Sequence, residues 1–519
     1  MKKANSIRSI LMVASLSISI FILSLAASAQ AIDVTKRLKG FDQTVEKILK
    51  DWNVPGCGIG IVYKDKLVYA RGYGYRDIEE KLPVTPNTLF HIASNTKLFT
   101  ATAIGLLVEE GKLEWDRPIR NWVPQLEFYN NELNNNVTIR DMLSHRTGIS
   151  RHDAIWIRSD FRRHDLFERI KYLEPSLPFR QGYLYNNLMY VAAGQIIEIL
   201  SGQTWEEYVQ DRIFDPLGMS HSVFDVPEMI KQPDFMRAYT EKMDTNILLR
   251  SPLYEHMQGL GSAGSIVSSI NDMSNWVIAQ MYRGKFRGEQ VIPVAVVKET
   301  MQPVVPASSV PDRYFENLNV VYGMGRSTSS YKGHYMVQHT GSVGGHFSIV
   351  TMMPADSIGI IVFTNRLSQV PTIIAYTAYD RLLALEQTPW SERGLRTYLQ
   401  GKETSREARS KPDTVRVQGT VPSHRLTEYT GLFEDAAYGV VEISYVDESL
   451  RLKFNYVDLP LLHYHYDRFM TPDDQFMGRW SVLFGTDAQG DISQLSISLD
   501  EEDVVFLRRT ESVRGRKFD

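Results

Sequence analysis

The spacing of apolar residues changes near residue 425, and that change divides the chain. From residue 40 to about 385, helix-length and strand-length patterns alternate. From about 425 onward the period is two throughout. Val441, Ile443 and Tyr445 alternate with polar residues, as do Leu450, Leu452, Phe454 and Tyr456, and again Leu495, Ile497 and Leu499. Turn signals such as Asp447-Glu448-Ser449 and Gln489-Gly490-Asp491 separate these runs. Period two places every second side chain on one face of a strand, so these residues predict a small antiparallel barrel. A barrel of about eight strands has room inside for side chains or one small ligand. Tyr445, Phe454, Tyr456, Tyr464, Tyr466, Phe469, Trp480 and Phe484 are therefore expected to fill it. The stretch between the two patterns, 386–424, is polar and charge-rich and lacks a sustained apolar period. It is expected to be a linker with a short helix.

The chain has 519 residues, 43% hydrophobic and 23% charged, which excludes fibrous, mucin-like and wholly disordered classes. Lys and Arg number 57 against 61 Asp and Glu, so no basic surplus points to nucleic acid. The one cysteine, Cys57, can form neither an intramolecular disulfide nor a cysteine zinc site, and its apolar surroundings predict a small buried side chain. Residues 1–29 have the form of a secretory signal: Lys2, Lys3 and Arg8, an apolar run from Ile10 to Leu25, then Ala27-Ser28-Ala29. Cleavage there removes three basic residues and takes the net charge from −4 to −7. The mature protein is then exported, to a periplasm or beyond.

No G-x-S-x-G or H-E-x-x-H occurs. Gly259-Leu-Gly261-Ser-Ala-Gly264 has dinucleotide-binding spacing but follows a polar stretch instead of a strand, so no dinucleotide cofactor is expected. More informative is Ser94-Asn95-Thr96-Lys97, which opens an apolar helix closed by Gly111. Ser94 and Lys97, three residues apart, share a helical face. A lysine drawn into an apolar pocket loses its preference for the charged form and can take a serine proton. Tyr185-Asn186-Asn187 precedes a second apolar helix, Met189 to Leu200, and brings a phenol and an amide together on a turn. Gln338-His339-Thr340-Gly341-Ser342 ends a strand, where a glycine lets substrate approach the backbone.

S-x-x-K, Y-x-N and His-Thr-Gly in this order resemble the three motifs of the penicillin-recognising serine enzymes. Their intervals suit the class C β-lactamase-like branch, with its D,D-carboxypeptidases, D-aminopeptidases and esterases. Thr138 to Gly148, Gly261 to Met273 and Tyr322-Gly-Met-Gly325 look like that branch too, and the likeness covers residues 40–385. The tail from Tyr429 resembles, more weakly, the lipocalin-like domain appended to some D-amino-acid-directed peptidases. The resemblance implies an α/β (α+β) fold of the β-lactamase/transpeptidase type, a mixed antiparallel sheet with flanking helices and a helical lobe. The expected organisation is a signal peptide 1–29, a hydrolase domain 30–385, a linker 386–424 and a barrel domain 425–519.

The same resemblance implies roles. Ser94 is the acylated nucleophile, Lys97 its activating partner, and Tyr185 the group that protonates the leaving amine and later activates water. Asn187, His339, Thr340 and Gly341 bind substrate, and the backbone N–H groups of Ser94 and Ser342 form the oxyanion hole. Neither a metal nor an organic cofactor is implied. His339 departs from the lysine of most β-lactamases and D,D-carboxypeptidases, as in aminopeptidase and esterase members. Protonated below about pH 6.5, it could anchor a substrate carboxylate. His463 and His465 share a strand face but lack a third metal ligand nearby in sequence. Arg151 to Asp165 is read as a solvated lid without specificity. The expected activity is acyl-enzyme hydrolysis of D-residue-containing peptides such as peptidoglycan fragments. Short-chain esters or weak β-lactam turnover are the alternative activity, and a non-catalytic binding or assembly protein the alternative class. The barrel is expected to restrict substrate access or to make oligomer contacts, rather than to carry a hydrophobic ligand.

Overall fold

The computed structural model describes residues 32–253, 257–308, 315–411, 413–499 and 502–509; the expected signal segment, 1–29, lies outside them. After a single helical turn at Val34–Arg37 come helix α1 (Phe41–Asp51) and strands β1 (Gly56–Tyr63), β2 (Lys66–Asp77) and β3 (Leu82–Pro83). A helical lobe follows, in which α2 (Thr96–Glu109) and α3 (Asn187–Ser201) are the long elements, and α4 (Ile270–Met281) leads back to the sheet. Strands β4 (Val305–Pro306), β5 (Asn317–Tyr322), β6 (Ser327–Tyr331), β7 (His334–Val343), β8 (His346–Met353) and β9 (Ile358–Thr364) complete it. The nine strands run in the order β4-β5-β6-β7-β8-β9-β1-β2-β3 and pair antiparallel throughout. The first and last segments of the domain therefore meet in the centre of the sheet.

Strand β1 shows how the sequence sets the two faces. Cys57, Ile59 and Ile61 join the core formed with α1 and with α5 (Val370–Leu382). Gly58 and Gly60 alternate with them, and a Cβ on Gly60 would lie 2.7 Å from Ile270 of α4. Glycine on that face lets α4 pack directly on the strand. Cys57 is fully buried, as expected, and burial pushes its thiol far above the ordinary range.

The segment expected as a linker holds a 21-residue helix, α6 (Trp390–Ser410). Trp390 is buried and its Nε1 donates to the Tyr331 hydroxyl at 3.1 Å. Tyr398 stacks on Trp52 with ring centroids 5.5 Å apart. The helix is anchored by a sparse stripe of Trp390, Gly394, Leu395 and Tyr398, too few apolar residues to stand out from the charge around them.

Beyond it lies a closed eight-stranded antiparallel barrel. Its strands are β10 (Gly431–Asp435), β11 (Gly439–Val446), β12 (Ser449–Phe454), β13 (Val457–His465), β14 (Arg468–Met470), β15 (Ser481–Thr486), β16 (Ile492–Leu499) and β17 (Glu502–Arg508). Pairing of β10 with β17 closes it. Phe454, Phe469, Trp480 and Phe484 fill the interior. Tyr445, Tyr456 and Tyr466 do not. They stand exposed at strand ends and turns, and Tyr464 is half-buried, its hydroxyl donating to Asp413. A phenol keeps its polar end wet, so the tyrosines of an amphipathic strand go to the rim more readily than phenylalanine does. His463 Nε2 donates to the Tyr466 carbonyl and His465 Nδ1 accepts from the Val417 N–H.

Candidate active site

Ser94 sits on a 3-10 turn, Ala93–Asn95, that runs into α2. Ala93 is held at φ 49°, a conformation unusual for a residue with a side chain. Its N–H donates to His91 Nδ1 at 3.1 Å. Asn95 Nδ2 donates to Ser348 Oγ and Ser348 Oγ to the Ile92 carbonyl, both at 2.8 Å, which pins the turn to β8. Strand β7 passes beside the turn. A Cβ on Gly341 would lie 2.1 Å from the Ile92 carbonyl oxygen and 3.0 Å from Ser94 N. The glycine of the third motif thus makes room for the serine turn. Thr340 and Ser342 alternate with it and are exposed.

Lys97, the second residue of α2, is fully buried. Its Nζ lies 2.7 Å from Asn187 Oδ1, 2.7 Å from the Ala263 carbonyl and 3.2 Å from Ser94 Oγ. The first two partners can only accept, so they engage two N–H bonds. The third tetrahedral position faces the serine hydroxyl. Burial holds the lysine well below its usual range; the Asp153 carboxylate opposes this and Arg151 adds to it. A neutral Nζ in this setting points its lone pair at Ser94 Oγ and can take its proton.

The second motif opens α3. Asn186 caps the helix, its side chain accepting from Met189 N at 3.2 Å, and Gly202, at φ 78°, ends it. Tyr185 is held from both sides by His145: Leu184 N donates to the His145 carbonyl and Asn186 N to His145 Nδ1. The Tyr185 hydroxyl bonds with Ser94, and burial raises its pKa far above the ordinary phenol value. It is therefore a phenol at neutral pH, fit to donate a proton. His145 was named in the sequence only as part of a supporting stretch. It is fully buried among Tyr185, Tyr190 and Tyr322, with ring centroids 4.4, 5.3 and 4.9 Å away. Its loop is fixed by Asp141, which caps a short helix and binds Arg180 at 2.9 and 2.7 Å.

His339 is buried and its Nδ1 lies 2.6 Å from the Thr340 carbonyl, so Nδ1 carries the proton and Nε2 accepts from Tyr322 Oη at 2.9 Å. Burial, with Lys97 nearby, pushes its pKa down to about 3. Burial among the tyrosines thus favours the neutral ring over the cation that would anchor a carboxylate.

The structure thus brings Ser94, Lys97, Tyr185 and Asn187 into one hydrogen-bonded group, with Gly341 against the serine turn. Asp153 and Trp156 belong to it as well and were missed: Asn187 Nδ2 donates to Asp153 Oδ1 at 2.9 Å, as does Trp156 Nε1 at 2.8 Å. They lie on the segment expected to be a solvated lid.

Residues 41–384, about two thirds of the chain, match the family described as Beta-lactamase. The chain belongs to the Beta-lactamase family. Members of this family are serine hydrolases, and so is this protein. Residues 415–508 match a domain of unknown function, DUF3471. An unguisins hydrolase from Aspergillus violaceofuscus is 26% identical over 453 residues, 80% of this chain and 78% of that one. Protein flp of Staphylococcus aureus is 25% identical over 346 residues, 64% of each chain. Among solved structures, the octameric penicillin-binding protein homologue from Pyrococcus abyssi has a TM-score of 0.59 at 23% identity, over 90% of this chain and 99% of that one. The D-amino acid amidase from Ochrobactrum anthropi has a TM-score of 0.55 at 23% identity, over 66% of this chain and 98% of that one. These two likenesses establish the fold.

Proposed function

We propose that this chain is an exported hydrolase that acts through an acyl-enzyme on amides and peptides containing D-residues. The observation that carries the reading is the three-way setting of Lys97 Nζ: two acceptors hold its N–H bonds and Ser94 Oγ takes the remaining position. Ser94 Oγ attacks the substrate carbonyl carbon while Lys97 takes its proton, and the oxyanion is held by the N–H groups of Ser94 and Ser342. The tetrahedral species expels the amine, which receives a proton through Tyr185. Water then attacks the acyl-serine, gives up a proton by the same route, and releases the acid with Ser94 restored. Asn187 orients Lys97 and the substrate amide, and Thr340 lines the exposed edge of β7.

A neutral His339 favours substrates without a carboxylate to be anchored there. Amides and short esters are thus preferred over β-lactams and D,D-carboxypeptidase substrates. The test is one panel on the purified protein: D- and L-aminoacyl anilides, D-Ala-D-Ala peptides, short esters and a chromogenic cephalosporin. Turnover of D-aminoacyl anilides, lost in Ser94→Ala, supports the reading. A chain that labels with no serine-directed probe would instead be a binding protein on this fold. Sequencing the N-terminus of the protein from its producing cells tests cleavage after Ala29.

Assembly through the barrel belongs to the same proposal. Leu432, Leu483, Val505 and Leu507 stand exposed on its outer face, and such a patch suits subunit contacts. Light scattering on Leu507→Glu should show a smaller particle than the parent chain.

A further inference from the structure

The hydrogen bonds that leave Lys97 lead to a loop that the barrel holds. Asn187 accepts from Lys97 at one end of its amide and donates to Asp153 at the other. Asp153 is buried and also accepts from Trp156 Nε1 and, at 2.7 Å, from Arg151 Nε. The residue between Arg151 and Asp153, His152, is held at φ 48°. One of its ring nitrogens bonds Ser150 Oγ at 3.1 Å and the other meets the barrel's Tyr438 hydroxyl at 2.8 Å. The next turns are gripped by the barrel too. Asn455 Nδ2 donates to the carbonyls of Ala154 and Ile157, each at 3.2 Å, and Tyr456 N donates to the Arg158 carbonyl at 2.9 Å.

The two ends of a side-chain amide differ only in hydrogen-bonding sense. If Asn187 turned over, its NH2 would face the lysine's own N–H bonds, and Lys97 would lose the acceptor that aims its lone pair. An acidic partner on the far side forbids that turn, because a carboxylate accepts and does not donate. We propose that the barrel tunes the nucleophile: by fixing the Arg151–Asp160 loop it holds Asp153, a positioning residue, in the place where it locks Asn187 toward Lys97. This rests on the reading of Ser94 and Lys97 as the acylating pair.

Around Lys97 stand Ser94 on its own turn, Tyr185, Asn187 and Tyr190 at the start of α3, His145, His339 on β7, and Asp153 with Arg151 on the loop. Asp153 is the one acid among them. It favours the protonated lysine and Arg151 opposes it. Two loop substitutions must then move the acid limb of activity in opposite directions, a result that a scaffold role alone does not produce.

The experiment follows the labelling rate of the full-length chain by a fluorophosphonate across pH 5–9. Asp153→Asn should shift the limb to lower pH, Arg151→Gln should shift it to higher pH, and Asp153→Asn should also lower the maximal rate about tenfold, the size of one lost hydrogen bond. Tyr438→Phe, at the far end of the relay, should slow labelling several-fold. Tyr464→Phe, whose hydroxyl bonds Asp413 and not the loop, should match the parent. The proposal fails if the two loop variants leave the limb where it was, or if Tyr438→Phe matches Tyr464→Phe. Labelling of the parent that is abolished in Ser94→Ala keeps the acyl-enzyme reading standing whichever way the loop variants fall.

Discussion

The hydrolase domain and the barrel bury different chemistry. The first encloses Lys97, Asn95, Asn187, His91, His145, His339, His346, Asp141 and Arg326, among others. Past residue 411, the buried polar residues other than tyrosine reduce, among the described residues, to Thr471. A buried polar group costs stability unless it is hydrogen-bonded, and a buried charge costs more. The barrel avoids that cost and gains its closure from Phe433, Phe454, Phe469, Phe484 and Phe506. The hydrolase domain accepts it at Lys97, where burial weakens the lysine's preference for its charged form. The barrel's contribution lies at its rim, in Tyr438, Asn455 and Tyr456, where tight turns present hydrogen-bonding groups to the loop.

The largest effect expected on this division is at the reacting pair. Ser94→Ala should abolish fluorophosphonate labelling and lower kcat by on the order of 10³-fold or more, and Lys97→Ala should cost nearly as much, since the two act as a unit. Phe484→Leu inside the barrel should lower the melting temperature and leave kcat close to the parent value. A rate loss in Phe484→Leu as large as that in Ser94→Ala would break the division.

Truncation sharpens the boundary between the regions. Cutting after residue 389 removes α6 and uncovers Trp52, Tyr331 and Asp380, which meet Trp390 and Tyr398. Loss of one buried tryptophan from such a core costs about 3–5 kcal/mol. A chain ending at 411 keeps α6 and should melt several degrees above one ending at 389. Equal melting temperatures would place α6 outside the hydrolase domain's stability.

What the sequence made legible follows the same line. The three motifs stand out because each marks the edge of an element: a turn before α2, the cap of α3, and a glycine on β7. The barrel is legible because period two survives in every strand. Asp153 and Tyr438 are not, because each acts across the chain: 34 residues separate Asp153 from Asn187, and 286 separate His152 from Tyr438. The state of His339 depends on burial among tyrosines supplied by two distant segments, at Tyr185 and Tyr322, which no local pattern states. The outward tyrosines were misplaced because alternation shows which residues share a face but not where the barrel's ends meet water.

A smaller effect separates the regions by pH. Burial pushes His91 and His339 down to about 3 and His346 to about 4. Unfolded histidine titrates near 6.5. Between these values the unfolded chain binds protons that the folded one refuses, so stability is fully present above about pH 6.5 and is lost as pH falls. Each such histidine adds a slope of up to about 1.4 kcal/mol per pH unit. The barrel contributes no buried histidine among its described residues. The urea midpoint should drop steeply from pH 6.5 to 4.5, and His346→Gln should flatten the drop. A midpoint constant over that range would mean that these rings titrate in the native state.

The smallest expected effect is at the rim itself. Tyr456 donates to Asp160 at 2.7 Å, but both side chains are exposed, so water replaces the bond when it is lost. Exposed pairs of this kind are worth about 0.5–1 kcal/mol. The part of Tyr456 that grips the loop is its backbone N–H to the Arg158 carbonyl, which Tyr456→Phe leaves in place. This variant should therefore melt within about a degree or two of the parent and label at the parental rate, whereas Tyr438→Phe, whose lost partner is the buried His152, should slow labelling. If Tyr456→Phe slows labelling as much as Tyr438→Phe, the rim acts as one undivided surface, and the route through His152 to Asp153 has no special standing.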